Sequence, residues 1–155
     1  MKENTLIDAI VGKLPKAVHS QSMTFGSLSN NGTPDRYFDG PNGDLWIEFK
    51  QIAAWPKSSM VGGVNAKKRG CYSPQQYAWM ERRWRNGNNV YGVIGLPDRS
   101  VVVQYSPAEW IGMSHVSEKV PRGVLVELIQ TICLGEPSEP NRTYQPAARN
   151  RRAAD

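Results

Sequence analysis

Two runs of aromatic and β-branched residues, Arg36-Tyr37-Phe38-Asp39 and Asp44-Leu45-Trp46-Ile47-Glu48-Phe49-Lys50, flank the turn formers Gly40-Pro41-Asn42-Gly43. Asn-Gly between two such runs is a strong hairpin signal. Along a strand, successive side chains take opposite faces. Leu45, Ile47 and Phe49 therefore point one way, and Trp46, Glu48 and Lys50 the other. The apolar set asks for a core on one side and leaves Glu48 and Lys50 as neighbours on the other. Asp35 opens the first run, and a hairpin of this length folds its carboxylate back toward Glu48.

The elements around the hairpin alternate in type. Leu6, Ile7, Ile10, Val11 and Leu14 recur at helical spacing across residues 3–14, with Gly12 weakening the pattern and Pro15 stopping it. A short strand is expected at 17–23, followed by the loop SLSNNGTP, which is expected to be mobile. Residues 54–72, with Pro56, Gly62, Gly63 and Gly70, show little periodicity and read as one long loop, a length that is often functional. Ser73-Pro74 supplies an N-cap hydroxyl and a proline at the first helical position for a helix to about Arg85. A second hairpin is expected from Val90–Leu96 and Val101–Tyr105 around Pro97-Asp98-Arg99. Helices follow at Ser106-Pro107 to Trp110 and at Val124–Cys133. The Pro97-Asp98 pair has no ExK after it and reads as structural, and His19 as a surface histidine. The fold class expected is α/β, a small mixed sheet flanked by helices. The domain spans 1–135, with a flexible basic tail over 136–155.

With 155 residues, 39% of them hydrophobic, the chain suffices for one domain with a substantial core. It has no apolar run of membrane-spanning length and no leader-like N-terminus, so a cytoplasmic protein with no membrane partner is expected. Cys71 and Cys133 lack a CxxC or Cys/His setting and read as ordinary thiols. The net charge of +5 is unevenly spread. Residues 56–87 carry Lys57, Lys67, Lys68, Arg69, Arg82, Arg83 and Arg85 against Glu81 alone, a local charge of +6. Such a cluster attracts polyanions, although a solvated basic face would carry the same charges. These seven cations are the candidates for contacting nucleic-acid phosphates.

Two convergent carboxylates form a hard-oxygen site suited to Mg²⁺, which keeps several waters and can share a substrate phosphate. A lysine beside them can orient or help deprotonate an attacking water and offset developing charge. An ExK on a strand is by itself an ordinary charge pair. The weight comes from the order: Pro34-Asp35 at one strand start, Glu48-Phe49-Lys50 at the end of the next, then a basic helix.

In that order, TPDRYFDGPNGDLWIEFKQI resembles the metal-site hairpin of the PD-(D/E)XK nucleases, and in particular the small phage-type, Holliday-junction-resolvase-like and VRR-NUC-like members of that superfamily. The resemblance takes in Glu3-Asn4, Ser73-Pro74-Gln75-Gln76, Trp79, and Asn88-Val90 into Gly95, over about residues 3–105. It implies a restriction-endonuclease-like core, with Asp35 and Glu48 as metal ligands, the Phe49 carbonyl as a further one, and Lys50 serving the attacking water. Mg²⁺ is the implied cofactor, with Mn²⁺ able to substitute. It also implies a catalytic-site role for Gln76, whereas helical spacing shows only that Gln76, Trp79 and Arg83 can share a face. Glu3 shares a helical face with Ile7, Ile10 and Leu14, and the resemblance includes this acid as a site member. A first-turn acid also favours the helix dipole. The expected function is a Mg²⁺-dependent DNA endonuclease, with branched or junction DNA as a substrate by resemblance, of phage origin, and with a homodimer left open. The alternatives are a phage protein that binds nucleic acid or inhibits a host nuclease without cleaving, and an RNA-directed nuclease of the same fold.

Overall fold

A computed structural model describes residues 3–23 and 32–135 of the chain. The expected basic tail over 136–155, and most of the SLSNNGTP loop, lie outside those residues. The elements are α1 (Glu3–Val11), β1 (His19–Ser22), β2 (Arg36–Gly40), β3 (Gly43–Gln51), β4 (Met60–Val61), α2 (Pro74–Arg85), β5 (Val90–Gly95), β6 (Val101–Gln104), α3 (Pro107–Gly112), β7 (Ser114–His115) and α4 (Arg122–Leu134). Five strands form one mixed sheet in the order β1-β2-β3-β5-β6. Every neighbouring pair is antiparallel except β3 and β5. The α/β expectation is therefore what the structure shows. Among the described residues no helix is long and apolar enough to cross a membrane.

Period-2 alternation in β3 divides the molecule into two layers. Leu45, Ile47 and Phe49 join Leu6, Ile10, Leu125 and Ile129 in the core beneath α1 and α4. On the other face Trp46 packs against Tyr72, Trp79, Met80, Val90 and Trp110, the core beneath α2 and α3. Glu48 and Lys50 lie on this second face, farther along the strand.

The hairpin forms for a different reason from the one its Asn-Gly suggests. Gly40 pairs with Gly43, so Pro41 and Asn42 make the turn, and neither Asn42 nor Gly43 has a positive φ. What fixes the turn is α4. The Asn42 amide donates to Cys133 O at 2.8 Å and its side-chain Nδ2 to Ile132 O at 3.3 Å, satisfying carbonyls that the helix end leaves open. The two glycines let the backbones meet: a Cβ at Gly40 would lie 2.5 Å from Cys133 O, and one at Gly43 2.9 Å from Ile132 O.

Three other expectations need correction. Helix α1 ends at Val11 rather than 14; Gly12 continues it by one bond to Asp8 O at 2.9 Å before tighter turns take over. Residues 54–72 are not all loop, since β4 pairs with β7 and Val64 bridges Tyr72. Helix α3 runs two residues past Trp110. The Ser73-Pro74 start matches expectation, with a complete capping box between Ser73 and Gln76.

The parallel β3–β5 pair sets Gly92 opposite Glu48. A Cβ there would fall 1.8 Å from the Tyr72 hydroxyl, which donates to Gln104 Oε1 at 2.6 Å in full burial. Gly92→Ala should cost roughly 1–3 kcal/mol through overpacking, read as a lower urea midpoint with an unchanged slope. Adding Tyr72→Phe should recover part of the loss. An unshifted midpoint in Gly92→Ala would show that Tyr72 does not occupy this space.

Candidate active site

Glu48 lies toward the carboxyl end of β3 and is almost completely buried, at 1% exposure. Its Oε2 is held from two sides: Lys50 Nζ lies at 3.1 Å, and Gln76 Nε2 donates to it at 2.9 Å. The amide of Gln76 is itself oriented by the cap of α2. Gln76 Oε1 accepts the Ser73 N–H at 2.9 Å, and Ser73 Oγ accepts the Gln76 N–H at 3.1 Å. With its oxygen committed to the cap, the NH₂ end of Gln76 is the one that meets Glu48.

Asp35 reaches the site from just before β2. Its Oδ2 accepts the Phe49 N–H at 2.9 Å. Phe49 thus enters through its backbone, while its ring is in the core. The segment carrying Asp35 is docked on α2 by Gly32, whose φ is +76° and whose missing Cβ would sit 2.4 Å from Gln75 O. Only glycine combines that backbone conformation with so close an approach. The first turn of α2 therefore positions Gln76 directly and the Asp35 segment by backbone packing.

Burial and mutual repulsion set the charges here. Desolvation pushes the Glu48 carboxyl well above its ordinary range, the neighbouring Asp35 pushes it further, and Lys50 only partly opposes them. Asp35 is raised by burial against the Phe49 N–H and Lys50. Glu3 is also raised by burial, with Lys50 lowering it and Asp35 raising it. Three acids thus share the field of one lysine.

Beside them opens a cavity of about 610 Å³ whose lining includes Glu3, Lys50, Gln51, Lys68, Arg69 and Gln76. Asp35 and Glu48 do not line it; Lys50 and Gln76 stand between Glu48 and the open space. Of the seven basic candidates, Lys68 and Arg69 reach this wall. Lys57 and Lys67 are exposed and do not line it. Arg82, Arg83 and Arg85 occupy the last turn of α2, at the end away from Ser73 and Gln76. There the Arg83 guanidinium lies 4.9 Å from the Trp79 ring centre and 5.8 Å from that of Trp46, and Arg85 pairs with Glu81 at 2.9 Å. His19 is exposed, 3.8 Å from Asp39. Asp98 pairs with Lys119 at 2.6 Å, and both cysteines are free and buried.

Sequence reasoning missed Gln51 and Asn65, which line the cavity. Gln51 had a signal: it continues the Leu45, Ile47, Phe49 face, where a polar residue is out of pattern. It is buried, donates through Nε2 to Ile52 O at 2.9 Å, and leaves Oε1 without a donor.

Among the described residues no three His, Cys, Asp or Glu side chains converge as a ready metal cage. Two carboxylates are nevertheless enough for Mg²⁺, which commonly takes one or two and completes its shell with water and substrate phosphate. The donor set fits such an ion. Glu48 Oε1 is buried with no donor on it and the Glu48 and Asp35 carboxyls meet, a pairing of acceptors that a cation would satisfy. The raised Asp35 and Glu48 carboxyls likewise lack the positive charge that would offset them both.

The architecture is a mixed α/β fold, a five-stranded sheet with helices on both faces. A solved structure of Hjc, a Holliday junction resolvase from the archaeal hyperthermophile Archaeoglobus fulgidus, matches it with a TM-score of 0.52. The match covers 81% of this chain and 98% of that one at 13% identity, a likeness of fold. No family model matches the chain, and neither does any curated protein.

The electrostatics predict an inverted stability effect. An acid whose folded pKa is raised binds more protons folded than unfolded, so stability falls as pH climbs above its unfolded value. The metal-free protein should therefore lose stability as pH rises from about 4.5, the ordinary value for Glu48. Glu48→Gln should melt higher than wild type in EDTA at pH 8, with the gap closing toward pH 4. Asp35 and Glu3 remain to face Lys50, so the substitution does not strand it. A wild-type melting temperature that rises steadily from pH 5 to 8 in EDTA would contradict this account.

Proposed function

We propose that the protein is a metal-dependent deoxyribonuclease of the PD-(D/E)XK type that hydrolyses phosphodiester bonds in branched or junction DNA. The observation that carries the proposal is the convergence of Asp35, Glu48 and Lys50 beside a cavity walled by Lys68 and Arg69. The likeness of fold to a Holliday junction resolvase supports the choice of DNA structure. A protein that only binds nucleic acid gains nothing from buried carboxylates near its phosphates, which makes the non-cleaving alternative the weaker reading.

Asp35 and Glu48 would hold Mg²⁺, with Mn²⁺ as a substitute and the Phe49 carbonyl as a further ligand. Bound there, the ion supplies Lewis-acid polarisation of the phosphate and a means of activating water. The protein's own groups do the rest. Lys50, between Glu48 and the cavity, orients the attacking water and offsets negative charge growing on the phosphoryl oxygens. Gln76 keeps Glu48 Oε2 in place, so the carboxylate meets the ion in one orientation. Glu3, on the cavity wall with Lys50, modulates that lysine and the water near it. Lys68 and Arg69 hold the flanking phosphates and fix the register of the strand.

Plasmid nicking with Mg²⁺, Mn²⁺ and EDTA, and cleavage of matched four-way-junction DNA, linear duplex and RNA, test this reading. Cleavage is expected with either metal, none in EDTA, and fastest on the junction. Glu48→Gln should abolish it while the protein stays folded; wild-type turnover in that variant would remove Glu48 as a ligand.

Lys68→Ala with Arg69→Ala should weaken binding to all duplex sequences alike. The slope of log affinity against log salt should fall by about 0.9 for each phosphate that the variant no longer neutralises. An unchanged slope would move the DNA path away from this wall.

A further inference from the structure

A second cavity, of about 320 Å³, lies against the first and differs from it in chemistry. Ile52, Ala54, Pro56, Met60, Val61 and Met113 make it mostly apolar. The two cavities have one wall in common, Lys68 to Cys71. Two cations thus stand at the boundary between a polar, acid-bearing space and an apolar one.

Met113 adds an independent observation. Its backbone has φ 64° and ψ 166°, a region that is essentially glycine's own, and a side chain there is held only where the surroundings over-determine it. They do so on both sides. Trp110 O accepts the Gly63 N–H at 2.9 Å, and the adjoining Ser114 is paired in β7 with Val61 and accepts from Gln104 Nε2 at 2.9 Å. The Met113 side chain lies over Gly63, where an added Cβ would come 3.5 Å from its sulfur, and it lines the cavity. Strain of this kind concentrates at ligand clamps, and sulfur is a favourable neighbour for the edge of an aromatic ring.

We propose that this apolar cavity receives an unpaired nucleobase of the DNA strand whose phosphates lie on Lys68 and Arg69. The inference rests on the nuclease reading and gives it a specificity element. A nucleotide is the ligand whose chemistry matches the pair of spaces: an anionic group for the cationic wall, joined to a flat ring with apolar faces for the space behind it. Fully paired duplex turns its bases inward and has none to offer, whereas a branch point or an extruded nucleotide has one at low cost in unstacking. The cavity would therefore favour DNA with an unpaired nucleotide next to the phosphate in the site.

The test is binding of the full chain to a duplex containing one unpaired 2-aminopurine, against the same duplex with that base paired, read by 2-aminopurine fluorescence in Ca²⁺. Wild type should prefer the unpaired form by about ten-fold or more, the scale of burying roughly 55 Å² of apolar ring face. Ala54→Trp, at an exposed position on the cavity rim, should bring that ratio close to one, and Met113→Gly, which suits the backbone, should lower it. Equal binding of both duplexes by wild type, or a ratio that neither variant moves, would overturn the proposal. So would an Ala54→Trp effect confined to self-association in sedimentation, which would assign the cavity to a second copy of the chain. Because the readout is binding, a preserved preference with no Mg²⁺-dependent cleavage of either duplex would sink the nuclease reading and leave the base site standing. Failure to bind either duplex would sink both.

Discussion

Glu48 is a carboxylate taken almost wholly out of water at the middle of a sheet, and the site is arranged around what that requires. A buried charge is tolerated only when partners surround it. The fold supplies Lys50 two residues on along β3 and Gln76 from the first turn of α2. The connection between the parallel strands β3 and β5 is what brings α2 to this end of the sheet. Gly92 opposite Glu48 and Gly32 against Gln75 remove the side chains that would hold the layers apart. One acid thus ties together strand register, a helix cap and two close backbone approaches.

Those partners do not fully compensate. Asp35, Glu48 and Glu3 all have raised carboxyls, and the largest cause for each is burial. Clustered carboxyls shifted by burial and by one another are a mark of a candidate functional site, held together by a scaffold whose stability comes from elsewhere. Here it comes from the core under α1 and α4, built from the opposite face of the same strand. Alternation along β3 lets one segment carry both the strongest apolar packing and the most strained electrostatics.

Local chemistry made much of this legible in the sequence. Period-2 alternation assigned Leu45, Ile47 and Phe49 to the core and set Glu48 beside Lys50, and Ser73-Pro74 marked the start of α2. Features that depend on distant partners were not legible. The Pro41-Asn42 turn is held by carbonyls of Ile132 and Cys133, which no local pattern reveals. Strands β4 and β7 have two residues each and exist only as each other's partner. Resemblance pointed to Gln76, which the fold places against Glu48. Its mechanism, an amide oriented by the same cap that starts the helix, required the geometry.

Charge was the least transferable signal, for a reason that α2 makes clear. The basic segment 56–87 is continuous in sequence, but a helix advances about 1.5 Å per residue. Its twelve residues therefore carry Arg82, Arg83 and Arg85 on the order of 10 Å or more from Gln76 along the axis. At physiological salt that is beyond the screening length of about 8 Å, so these arginines add little field at the cavity itself. Arg83 is also engaged with Trp46 and Trp79, where its guanidinium covers aromatic surface. Lys68 and Arg69 instead precede the helix and stand on the wall between the two cavities. The cations that share a cavity with Lys50 are therefore selected by where the chain enters α2 rather than by how many positive charges the segment holds.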